Sequence, residues 1–140
     1  MNGFLLGTNV ISELIKAEPD HNVVRWIEQT DETNLYLSVL TLGEIRSGIE
    51  RMQSVRRRGR LESWLAGDLR LRFQDRILTI SDVIAERWGA LSATRAKKGR
   101  PLPVIDGLLA ATALHHNLML VTRNETDVKV TGVSTLNPWK

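Results

Sequence analysis

Three acidic residues stand beyond short apolar runs or at the head of helical patterns: Glu44 follows Leu35–Val39, Asp106 follows Val104 and Ile105, and Asp127 follows Leu118–Thr122. Polar Thr8, Asn9 and Ser38 occupy similar places, and Gly7 lies directly behind the first apolar run, Phe4–Leu6. Where neighbouring strands end together, carboxylates remote in sequence can meet in one cleft. Such acids repel one another unless a hard cation sits among them. Mg²⁺ and Mn²⁺ suit the role, because they take oxygen ligands and keep several waters. A site of this kind can split phosphodiesters: the ion lowers the pKa of water and offsets charge building on the phosphate oxygens.

Taken one at a time, these residues have ordinary structural uses. Thr41-Leu42-Gly43-Glu44 fits the S/T-x-x-E capping box, which would make Glu44 a helix cap. Asp106 stands where an acid accepts free backbone N–H groups at a helix start, and Asp127 suits a turn. His115 and His116 fall late in a helical pattern, where positive charge complements the dipole, so they read as structural. Trp26, Trp64, Trp88 and Trp139 suit core packing better than base stacking.

To bring the acids together the chain must build a sheet. Phe4–Leu6 reads as a strand and Thr8-Asn9 as a turn, with Val10, Ile11, Leu14 and Ile15 along one face of a helix. A second helix runs from about Asp20 to Gln29, and Leu35–Val39 is a buried strand. The next helix opens at Thr41–Glu44 and carries Leu42, Ile45, Ile49 and Met52 on one face. A break near Gly59 separates it from a helix holding Leu61, Trp64, Leu65, Leu69 and Leu71, giving an αα-hairpin. Arg76–Ile80 is a third strand, and Ser81-Asp82 caps a helix that Gly99-Arg100-Pro101 ends. A helix over Gly107–His116, a strand over Leu118–Thr122, a turn and a last strand near Gly132–Leu136 complete the chain. This alternation implies an α/β fold whose mainly parallel central sheet is flanked by helices on both faces, with ligands at the carboxyl ends of the strands.

The 140 residues are read as one domain, 1–140, large enough to bury roughly 70% of its unfolded surface. With no cysteine, a metal must be held by oxygen or by the three histidines. The segment Met1–Gly7 lacks the basic lead and apolar length of a signal peptide, and no run nears the roughly 20 residues of a membrane span, so a cytoplasmic protein away from membranes is expected. The net charge of +3, carried largely by arginines such as Arg56, Arg57, Arg58 and Arg60, permits a polyanionic partner without requiring one.

Four segments, Phe4–Glu13, Ser38–Ile49, Ile105–Ala113 and Val121–Asp127, together resemble PIN-domain ribonuclease toxins of the VapC type, in the family's order and along essentially the whole chain. The tail Asn137-Pro138-Trp139 is similar to that of the FitB-like branch. The resemblance implies a Mg²⁺- or Mn²⁺-dependent endoribonuclease that cleaves RNA, with transfer RNA a family-level candidate. It implies a VapB-like antitoxin whose C-terminal segment enters or covers the groove, a homodimer or toxin–antitoxin hetero-oligomer, and operator DNA reached only through the antitoxin. Carried over residue by residue, Glu44, Asp106 and Asp127 become catalytic, metal-binding acids, with Thr8 a polar catalytic residue beside them. Asn9 shapes the same turn, and Asn9, Arg46 and Ser38 become contacts for substrate or antitoxin.

One position departs from the family pattern Leu-Leu-Asp-Thr-Asn. Gly7 stands where the first catalytic aspartate belongs, and glycine offers no side-chain oxygen, so metal affinity and transition-state stabilisation should both fall. Because the other motif positions are intact, a single loss-of-function change fits better than long decay. The alternative is a non-enzymatic PIN module that binds an antitoxin and assists operator repression.

Overall fold

The computed structural model describes residues 3–140. Met1 and Asn2, the first residues of the segment weighed as a leader and of the expected domain, lie outside the described residues. The elements run β1 Phe4–Leu6, α1 Thr8–Leu14, α2 His21–Gln29, β2 Leu35–Ser38, α3 Val39–Glu50, α4 Val55–Ser63, α5 Arg70–Arg72, β3 Ile77–Leu78, α6 Asp82–Lys97, α7 Val104–His116, β4 Met119–Val121, α8 Glu125–Lys129 and β5 Thr135–Leu136. The strands form one sheet in the order β3-β2-β1-β4-β5, and every pairing is parallel.

Parallel strands need crossovers, and these place helices on both faces, so the strands are mostly apolar. Side-chain alternation divides the core in two. Leu6, Leu35, Leu37 and Val121 face a layer containing Val10 and Ile11 of α1, Val23 and Ile27 of α2, and Leu42, Ile45 and Ile49 of α3. Leu5 and Leu120 face the opposite layer, where Leu109, Ala110 and Ala113 of α7 pack. Helix α6 closes over α7, and Gly107 permits the approach: a Cβ there would meet the Trp88 ring at 2.9 Å.

Several boundaries differ from the sequence reading. Helix α3 begins at Val39, with Ser38 as its N-cap, so Thr41–Glu44 lies inside the helix and forms no capping box. Gly59 sits within α4; the helical path continues through a π-helical turn, Trp64–Leu69, into α5, and the break falls instead between α3 and α4. Thr8-Asn9 is the first turn of α1, and α7 starts at Val104 rather than Gly107. A short helix, α8, replaces the expected turn at Asp127. The third and last strands are two residues each, shorter than the apolar runs suggested.

Among the described residues no helix is long and apolar enough to cross a membrane. From β1 the sheet grows through β2 to β3 on one side and through β4 to β5 on the other. The carboxyl ends of β1 and β4 therefore flank the switch point, where an open parallel sheet leaves a crevice.

Candidate active site

The crevice is a cleft of about 410 Å³ whose walls include Gly7, Thr8, Asn9, Glu44 and Asp106. Gly7 ends β1 and caps α1, with its N–H donating to Val121 O of β4 at 2.8 Å. Its backbone is extended, at φ −70° and ψ 158°, so the conformation does not demand glycine. The space does favour it. A Cβ on residue 7 would lie 2.9 Å from Val121 O and 3.2 Å from Asn9 Oδ1.

Thr8 opens α1 and joins it to α3: its hydroxyl donates to Glu44 Oε1 and lies 3.2 Å from the hydroxyl of buried Thr41. Glu44, one turn after Thr41 on α3, is thus aimed across the cleft by the packing of two helices. Asn9 Nδ2 donates to Thr122 Oγ1 at 3.3 Å, which ties α1 to the end of β4. Asn9 Oδ1 is buried and has no hydrogen-bond donor among the described residues.

Asp106, in the first turn of α7, brings the third wall. Partial burial pushes its carboxyl above the ordinary aspartate pKa, and the charges of Glu44 and Asp127 push it further. Asp106 therefore feels both other acids, yet only Glu44 and Asp106 line the cleft. Asp127 is exposed on α8 and borders a neighbouring hollow.

Two expected contacts are placed elsewhere. Ser38 is fully buried, and its Oγ accepts from Leu40 N–H at 3.0 Å, so it caps α3 and offers no surface to substrate or antitoxin. The Arg46 guanidinium is held by Glu50 at 3.2 Å and Glu62 at 3.7 Å and does not line the cleft. His115 and His116 are exposed in the last turn of α7 and also lie outside the cleft lining.

Sequence reasoning overlooked Glu13. This residue is buried on α1, lines the cleft, and accepts from Lys16 Nζ and Asp20 N–H, each at 2.9 Å. Lys16, together with the Asp20 amide, holds its carboxyl below the usual range. The polar spacing Asn9, Glu13 along α1, with Lys16 just past its end, was the available signal. Arg123, whose guanidinium lies 5.2 Å from the Trp139 ring, adds a cation to the same rim.

In kind, these donors fit a divalent cation: hard oxygens, mutual repulsion around Asp106, and an unpartnered acceptor in Asn9. In number they fall short, because among the described residues no three acidic or histidine groups lie together closely enough to hold an ion. Gly7, on the cleft wall, offers no side-chain oxygen.

The PIN domain family matches residues 4–132. The VapC ribonuclease Y4jK of Sinorhizobium fredii is 35% identical over 136 residues, which is 97% of this chain and 97% of the relative. Toxin FitB of Neisseria gonorrhoeae is 30% identical over 135 residues, 96% of this chain and 97% of the relative. The solved structure of FitAB bound to an IR36 DNA fragment superposes with a TM-score of 0.91 at 28% identity, covering 98% of this chain and 96% of that one.

Proposed function

The chain belongs to the PIN domain family, among the toxin ribonucleases of the VapC and FitB type, and from that premise we propose that Glu44, Asp106 and Asp127 are its metal-site acids, acting on RNA with Mg²⁺ or Mn²⁺. Gly7 leaves that site impaired. The reading rests on one observation above all: Thr8 orients Glu44 into the same switch-point cleft that Asp106 enters from α7.

When bound, a divalent cation would supply Lewis acidity, which acidifies water and offsets charge on the phosphate. Glu44 and Asp106 would hold it, with Asp127 contributing negative charge from the rim. The chain's own residues prepare the rest. Thr8 fixes the Glu44 rotamer, Asn9 keeps α1 against β4, and the raised pKa of Asp106 reflects burial first and then repulsion from Glu44 and Asp127, which a cation would offset. Lys16 and Arg123 on the rim would draw the phosphate backbone toward the cleft.

We place its action in the cytoplasm, in partnership with a VapB-like antitoxin through which operator DNA is reached; the two-component FitAB assembly on DNA supports that arrangement. The test compares this chain with Gly7→Asp on a mixed small-RNA pool in Mn²⁺ or Mg²⁺, with chelator as blank. Cleavage by Gly7→Asp, absent or much weaker in the parent, is expected. A single observation favours the second reading, a non-enzymatic module that holds an antitoxin: a Cβ at residue 7 would lie 2.9 Å from Val121 O, which leaves no room for an acidic side chain without a shift. That reading predicts tight antitoxin binding and no cleavage by either protein.

A further inference from the structure

Beside the cleft lies a hollow of about 210 Å³ between the end of α6, the loop before α7 and α8, walled by Arg95, Arg100, Pro103, Thr126 and Asp127. Arg95 is the unusual member. It is only 9% exposed, its Nε has no hydrogen-bond partner, and its guanidinium is in none of the ion pairs among the described residues. A buried cation is costly unless something compensates it. Asp127 shares the hollow without pairing with it, and exposed Arg100 adds a second guanidinium, so positive charge is in excess.

The hollow also meets the start of α7, whose N-cap is Pro103 and whose first turn has no side-chain cap. The free N–H groups and positive dipole end of this 13-residue helix favour an anion there. Three residues further on, Asp106 lines the acid cleft, so one turn of α7 joins the two sites.

We propose that this hollow is a phosphate subsite, in which Arg95 and Arg100 hold a backbone phosphate of the RNA strand adjacent to the one presented to the acids. It rests on the ribonuclease reading above. Guanidinium forks match phosphate oxygens in pairs, and a strand crossing the cleft carries its neighbouring phosphate toward this wall.

The experiment is equilibrium binding of a labelled short single-stranded RNA to the intact chain in chelator, across a salt series. Arg95→Gln and Arg100→Gln should each weaken binding about fivefold near about 0.1 M salt and reduce the log–log salt slope by about 0.7, the loss of one phosphate contact on a single strand. Arg100 is exposed, so its variant carries the test if Arg95→Gln melts early. Unchanged affinity and slope in folded variants, with the parent binding RNA, overturn the subsite alone. A parent that binds no RNA overturns the ribonuclease reading and the subsite with it. Variants that bind RNA normally but lose an antitoxin peptide show that the hollow takes a protein carboxylate, which also overturns the proposal.

Discussion

On the proposed function, residue 7 weighs activity against packing. Any side chain there brings a Cβ to 2.9 Å from Val121 O, so β1 and β4 must part by a few tenths of an ångström. Overpacking of this kind costs about 1–3 kcal/mol, and the loss of glycine at an N-cap is itself nearly neutral for aspartate. Gly7→Ala should therefore melt earlier than the parent and stay inactive, whereas Gly7→Asp should recover part of the loss by capping α1; thermal melts with a paired cleavage assay separate the two. A second prediction concerns Asp106. Its raised pKa means that the folded chain binds this proton more tightly than the unfolded one. Protonation thus favours folding; the benefit is complete below the ordinary value of 3.8 and is lost as pH rises through the higher folded value. At neutral pH the charge destabilises, modestly because solvent screens it. In chelator, Asp106→Asn should melt higher than the parent near neutrality and no higher in acid. The sequence alone singled out Asp106 and Glu44, but Glu44 also matched a capping box. Only the position of Ser38 as the true cap frees Glu44 for the cleft.

Ser38 also explains why element boundaries were harder to read than element types. The chain passes from β2 into α3 with no intervening loop, so the cap hides inside an apolar run, Leu35–Leu40. Removing its hydroxyl leaves the part-buried Leu40 N–H without its cap, and Ser38→Ala should cost about 1 kcal/mol in urea unfolding, without altering RNA or antitoxin binding in the folded protein. Gly59 misled in the opposite direction. Glycine usually punctuates, yet here it lies mid-helix in exposed α4, where a Cβ would meet nothing within 4 Å. Gly59→Ala should stabilise the chain by about 0.5–1 kcal/mol, read as a higher urea midpoint with an unchanged slope. Helix α8 was invisible because five residues, Glu125–Lys129, are too few to show a helical period.

At the scale of the whole molecule, alternation of apolar strands and amphipathic helices was enough to specify a parallel α/β sheet, while the strand order that makes β1 and β4 neighbours was not readable from local pattern. That order is what gathers residues 7, 44 and 106 from three distant segments. A cation bound there would tie α3 to α7, and the end of β1 as well in Gly7→Asp, and would be absent from the unfolded chain, where the same acids are far apart. Binding must then raise global stability by mass action, by about 2.7 kcal/mol when the ion is at a hundred times its Kd. The parent has no side-chain oxygen at residue 7 and no close group of three acids among the described residues, so its melting temperature should respond weakly to Mn²⁺. Gly7→Asp should start lower in chelator and climb steeply with Mn²⁺, overtaking the parent, and Asp106→Asn added to it should abolish the climb. Equally steep Mn²⁺ responses in parent and Gly7→Asp would mean that residue 7 supplies no ligand, and flat responses in both would mean that the acids serve the packing of α1, α3 and α7 rather than a metal.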